Sequence, residues 1–125
     1  MDETAAKQAE AEVRVAFDGY EAALVGNDVE ALIGFFADDP RTFRMMDDQG
    51  LYGFDDIAAF RRARDPSDVA RALTKVTITC VAQDVVVTSA EYTRTGSGRS
   101  GAQSQTWVKR PEGWRIVAAH VSLGA

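Results

Sequence analysis

The sequence predicts one α+β domain, with helices packed on one face of an antiparallel sheet. Two observations carry this. Apolar residues recur at intervals of three and four over the N-terminal half, and after Arg71 the pattern changes to that of long strands. The 125 residues leave room for a single core, so one domain is expected over 1–125.

In chain order, Ala9, Val13, Ala16, Phe17, Tyr20 and Leu24 share one face of a first helix. Asp2 or Thr4 can cap its start, and Gly26 is a natural stop. Asn27, with Glu30 three residues on, is a variant of the capping box and opens a short second helix. Its apolar face carries Leu32, Phe35 and Phe36, and it ends near Asp38-Asp39-Pro40. Residues 41–46 read as a short strand, Asp47-Asp48-Gln49-Gly50 as a turn, and Leu51-Tyr52 as extended. Gly53 begins a third helix, with Asp55 and Asp56 in its first turn and Arg61, Arg62 and Arg64 in its last turns. That charge order suits the helix dipole. Pro66 ends it.

Beyond Arg71, residues 74–81, 85–93, 103–110 and 114–123 are rich in β-branched and aromatic side chains, with turn residues between them. The last strand is apolar on both parities: Trp114, Ile116 and Ala118 alternate with Val117, Ala119, Val121 and Leu123. A strand apolar on both sides is usually covered on both. The helices supply one cover, and a second subunit is expected to supply the other, giving a homodimer.

Composition narrows the function. Apolar residues make up 46% and charged residues 26%, ordinary for a globular domain. No apolar run approaches the ~18 residues of a membrane span. The start, Met1-Asp2-Glu3-Thr4, lacks a basic segment followed by an apolar one, so a cytoplasmic location is the default and no membrane partner is expected. A net charge of −5 without a basic stripe argues against nucleic acid. The single Cys80 excludes an internal disulfide, and the single His120 a zinc site of the usual Cys/His kind. No metal or cofactor is expected.

The stretches Tyr20-Glu21-Ala22-Ala23-Leu24, Asn27-Asp28-Val29-Glu30-Ala31-Leu32, Phe36-Ala37-Asp38-Asp39-Pro40 and Leu51-Tyr52-Gly53 resemble the SnoaL-like and ketosteroid-isomerase-like superfamily. Ile57-Ala58-Ala59-Phe60-Arg61-Arg62-Ala63-Arg64, Gln103-Ser104-Gln105-Thr106-Trp107-Val108 and the run from Gly113 to Ser122 narrow the resemblance to the AtzH-like family, which includes the oxalurate-catabolism protein HpxZ. The resemblance implies a cone-shaped fold of the nuclear-transport-factor-2 (NTF2)-like type, with three helices on a strongly curved sheet, usually dimeric. It also implies an amidohydrolase-type role on small carboxylated ureas or related amides in nitrogen catabolism. In that family a helix-1 tyrosine and a first-strand arginine are thought necessary for activity; by position these fall on Tyr20 and Arg44. Ketosteroid isomerases carry their general-base carboxylate where this chain has Arg44. A guanidinium, with a pKa above about 12, cannot abstract a proton. The alternatives to an enzyme of this type are a small-anion-binding or dimeric assembly module, including one associated with an amidase, and an isomerase with an acidic base elsewhere in its pocket.

The candidate residues each admit a structural and a functional role. Tyr20 either fills core volume or lends a phenol to a pocket, as proton or hydrogen-bond donor. Arg44 stands mid-strand between Thr42 and Met46, where an unpaired charge is costly. It either bridges to Glu21 or Asp47 at the surface or anchors a substrate carboxylate bidentately, the reading favoured here. Arg61 and Arg64 complement the dipole of the third helix or draw in anions; Arg61 is assigned to substrate binding beside Arg44. Gln103, Gln105 and Trp107 share a parity that is aimed at the cavity, and two amides suit a urea group. His120 and Ser122 are also placed at the substrate, on the parity of Trp114, Ile116 and Ala118. His120 is the one side chain with a reference pKa near neutrality. A Ser122–His120 dyad is disfavoured, because positions two apart on a strand lie ~7 Å from each other. Cys80 reads as core with Val76 and Ile78.

Overall fold

A 23-residue helix, α1 (Glu3–Val25), opens the chain and lies across the sheet. The computed structural model describes residues 2–124; Met1 and Ala125, the two ends of the expected domain, lie outside the described residues. After α1 come α2 (Val29–Ile33), β1 (Phe43–Met45), β2 (Gly50–Tyr52), α3 (Phe54–Ala63), β3 (Arg71–Ala82), β4 (Val85–Arg94), β5 (Ser100–Arg110) and β6 (Gly113–Leu123). The strands form one sheet in the order β2-β1-β6-β5-β4-β3. The expected antiparallel pairing has one exception: β1 runs parallel to β6. That pairing carries the short β1–β2 hairpin to the end of the sheet and delivers Arg44 opposite Ala119.

The core forms where the apolar stripe of α1 meets the inward side chains of the long strands. Ala9, Val13, Phe17, Tyr20, Ala23 and Leu24 pack with Val86, Ala90, Trp107, Trp114, Ile116 and Ala119. At ~25 cal/mol per Å² of apolar area, this burial is the main source of stability. Two ends are tied by side chains from α1. Glu12 accepts a hydrogen bond from Trp114 Nε1 at 2.8 Å, and Glu10 accepts from the backbone N–H of Cys80 at 2.8 Å.

Three local expectations are corrected. The cap of α2 is Asp28, whose Oδ1 accepts from Ala31 N–H at 3.2 Å. Asn27 precedes it in the left-handed region (φ 54°), and Glu30 instead receives the Arg62 guanidinium. The helix stops at Ile33, so Phe36 leaves it and forms an isolated bridge with Ile116. The third correction concerns β6. Thr106 faces Ala118 while Trp107 faces Ile116, so Val117 is an extra residue in the ladder. Such a bulge reverses the side-chain alternation beyond it. Trp114 and Ile116 point inward, the inward set then resumes at Ala119, and His120 is exposed on the outer face.

Gly101 on β5 shows why glycine is required beside the site. A Cβ there would collide with the Ser122 carbonyl oxygen and the Tyr92 hydroxyl. No helix among the described residues is long and apolar enough to cross a membrane.

Candidate functional site

A cavity of about 220 Å³ opens between α1, α3 and the inner face of the sheet. Five guanidinium groups line it, from Arg44, Arg61, Arg64, Arg71 and Arg94, together with Tyr20, Phe60, Tyr92 and Gln103. Asp47 and Asp48, both exposed, stand at its rim.

Arg44 enters from β1, where strand alternation turns it inward while neighbouring Phe43 faces out. It is 6% exposed, with its guanidinium carbon 5.4 Å from the centre of the Phe60 ring. Its Nη1 has no hydrogen-bond partner. Arg61 comes from the last turn of α3 and is 3% exposed. Its Nη2 donates to the Tyr20 hydroxyl oxygen at 2.8 Å, and its Nε has no partner. Tyr20, from the apolar stripe of α1, is held edge-on by Phe35 and Phe36, with ring centres 6.0 and 6.1 Å away.

The remaining arginines divide by whether a carboxylate neutralises them. Arg71 donates from Nε to Glu21 at 3.1 Å and from Nη2 to the other Glu21 oxygen. The same Nη2 donates to Gln103 Oε1 at 2.8 Å, and the guanidinium lies 4.4 Å over the Tyr92 ring. Arg94 pairs with Asp68 at 3.5 Å. Among the described residues, Arg44, Arg61 and Arg64 form no ion pair. Burial, then repulsion from Arg61, pulls the Arg44 pKa down to about 9. Burial and the same neighbour pull Arg64 to about 10. Removing an unpaired charge from water costs several kcal/mol even after relaxation. Arg44 and Arg61 are thus buried cations with unsatisfied N–H donors and no carboxylate partner among the described residues, and both line one cavity.

Of the residues proposed from sequence, Tyr20, Arg44, Arg61, Gln103 and Ser122 line the cavity. Neither surface partner considered for Arg44 takes it: Glu21 holds Arg71, and Asp47 accepts from Leu123 N–H. Ser122 borders it from the end of β6, where its carbonyl accepts from Tyr92 at 2.9 Å; its hydroxyl, on the outward parity of His120, donates to the Ala102 carbonyl at 3.4 Å. Three others lie elsewhere. Gln105 and Trp107 point inward but are committed to a buried chain, in which Trp107 Nε1 donates to Thr88 Oγ1 at 3.1 Å and Thr88 to Gln105 Oε1 at 3.2 Å. Phe35 packs on Trp107 there, so both residues belong to the core behind the cavity. His120 is on the opposite face, reversed by the bulge. Sequence reasoning missed Arg71 and Arg94. They face each other at one end of the β3–β4 pair, and each looked like a strand-end charge. The signal was that both sit beyond the apolar stretch, at the end of the strands nearest Tyr20's helix turn.

Helices on a curved six-stranded sheet around a cavity make this a protein of the NTF2-like, cystatin-like fold. The chain belongs to the AtzH-like family, whose model matches residues 3–125. It is similar to a protein of unknown function of the DUF3225 family from Pectobacterium atrosepticum SCRI1043, with 51% identity and a TM-score of 0.88 over 94% of this chain and 92% of that one. A cystatin-like fold protein from Burkholderia xenovorans LB400 is 38% identical, with a TM-score of 0.86 over 94% and 93%. At 22% identity, an NTF2-like superfamily protein from Salmonella enterica serovar Typhimurium LT2 shares the fold, with a TM-score of 0.75 over 95% and 93%. Comparison with curated proteins finds no match.

Proposed function

We propose that the cavity binds a small carboxylate and that the protein is an amidohydrolase-type enzyme, cleaving C–N bonds of small carboxylated ureas or amides in nitrogen catabolism. One observation carries the reading: Arg44 and Arg61 line one cavity, and each keeps a buried N–H donor, Nη1 and Nε respectively, without an acceptor. A planar carboxylate supplies oxygens for both. The volume of about 220 Å³ falls below the ~300 Å³ at which drug-sized ligands begin, which favours a compact substrate.

Tyr20 is the proton donor in this reading. Its oxygen already accepts from Arg61, so its own O–H is free to point at the ligand. For an N-carboxylated substrate, the C–N bond breaks with its electron pair going to nitrogen. Nitrogen takes the Tyr20 proton, carbon dioxide leaves, and solvent returns the proton to Tyr20. No protein nucleophile is required. The guanidiniums hold the carboxylate and stabilise the phenolate in that step. Gln103 orients the amide.

The test is to incubate pure protein with small carboxylated ureas and amides and follow ammonia and carbon dioxide. Release that is lost in Tyr20→Phe and Arg44→Met supports the reading; repeated blanks overturn it. A non-catalytic anion-binding module is the second reading. It is favoured by the position of His120, which leaves the cavity wall without a side chain of near-neutral reference pKa among the described residues.

A homodimer through the outer sheet face accompanies either reading. In register across that face stand Tyr52, Phe43, Ala118, Thr106, Val87 and Thr79. Tyr52 is 65% and Phe43 39% exposed in the single chain, an aromatic pair at the edge of a face of small residues.

A further inference from the structure

We propose that Glu21 sets the charge selectivity of the cavity: by occupying Arg71 it limits the cationic wall to Arg44, Arg61 and Arg64, and its loss shifts preference toward ligands of higher negative charge. The inference rests on the anion-binding reading above and adds a residue that does not line the cavity. Arg71 does line it, in reach of any ligand between α1 and the sheet. Yet its Nε and Nη2 both donate to the Glu21 carboxylate, and Nη2 also to Gln103. Gln103 Nε2 donates back to Glu21 at 3.3 Å, closing the set. Both side chains are dry, 5% exposed for Arg71 and 12% for Glu21, so solvent screens their pairing little.

Arg71 differs from Arg44 in its internal partner. Two buried guanidiniums stand in one wall; one has a bidentate internal carboxylate, and the other has an unpartnered Nη1. An entering anion meets the potential of the unneutralised arginines and only the small residual dipole of the Arg71–Glu21 pair. Removing the Glu21 charge raises the potential everywhere in the cavity by one uncompensated guanidinium. An anion of charge two gains twice the free energy of an anion of charge one, so the affinity ratio moves by a power of the change rather than equally.

The experiment compares acetate and malonate binding by calorimetry at fixed ionic strength, in wild type, Glu21→Gln, and the double variant Glu21→Gln with Arg71→Met. Glu21→Gln is expected to tighten malonate about tenfold and acetate about threefold. The double variant, which restores the original cavity charge, is expected to return to the wild-type ratio. Unchanged or weakened malonate binding in Glu21→Gln overturns the proposal. Should that variant fail to fold with Arg71 unpaired, the double variant decides: loss of both anions there means that Arg71 is itself the ligand contact, which also overturns it. Wild-type protein that binds neither anion defeats the anion-binding reading itself and this inference with it, a result distinct from wild-type binding with unaltered selectivity.

Discussion

The Arg61 guanidinium donates from Nη2 to the Tyr20 hydroxyl oxygen at 2.8 Å, joining residues 41 positions apart in the sequence. Each is buried, and each would otherwise be a polar group in a dry wall. The bond fixes which way the phenol can donate. With its oxygen receiving from Arg61, the Tyr20 hydroxyl proton is left for another acceptor, and Tyr20 lines the cavity. Replacing Tyr20 by Phe therefore keeps the ring among Phe35 and Phe36 but removes an acceptor from an already under-satisfied Arg61. The expected result is loss of ammonia or carbon dioxide release with a stability cost of about 1–3 kcal/mol, read by urea denaturation.

Arg44→Met should leave stability unchanged or raise it. The guanidinium is buried, has no ion pair, and faces Arg61 and Arg64, so its removal relieves desolvation and repulsion while methionine keeps much of the volume. A melting temperature equal to or above wild type, with weakened carboxylate binding, is the expected outcome, read by thermal denaturation and calorimetry.

The same group gives a pH dependence. Burial and the neighbouring Arg61 hold the folded-state pKa of Arg44 at about 9, well below the ordinary guanidinium range. Between that value and the ordinary range the unfolded chain binds more protons, so stability contributed at this site rises with pH there, and its cost is fully present below about 9. Carboxylate affinity should move the other way. It is expected to hold steady between about pH 6 and 8 and to fall as pH passes about 9, more in wild type than in Arg44→Met.

Gly101→Ala should destabilise the end of the cavity. The added methyl meets the Ser122 carbonyl and the Tyr92 hydroxyl, which are themselves hydrogen-bonded at 2.9 Å. Neither backbone nor a bonded ring yields cheaply, so a loss of about 1–3 kcal/mol is expected in denaturant titration.

Phe43→Lys tests the outer face. Sedimentation should show a dimer for wild type and a shift to monomer for the variant, because a charge placed in a face of Thr, Ala and Val residues would be left without a partner.

The helices and long strands were legible because their periods are intrinsic to local sequence. The stripe Ala9, Val13, Phe17, Tyr20, Leu24 is buried as the 3.6 spacing requires. Arg44 stood out because a charge mid-strand conflicts with its surroundings, whereas Tyr20, which suits an apolar stripe, was singled out by the family resemblance. The bulge at Val117 was not legible. Val117, Ala118 and Ala119 are each compatible with either face, so nothing local announces the reversal that turns His120 outward. The same limit hid Arg71 and Arg94, whose roles depend on Glu21 and Asp68 arriving from elsewhere in the chain.

The proposed function requires Arg44 and Arg61 to hold a ligand carboxylate together. Calorimetric titration of wild type and Arg44→Met with oxamate, a small carboxylated amide, tests it most directly. One site per chain is predicted, weakened at least about tenfold in the variant, as expected for a charge-assisted hydrogen-bonded contact. Equal affinity for oxamate in the two proteins would exclude Arg44 as the carboxylate contact.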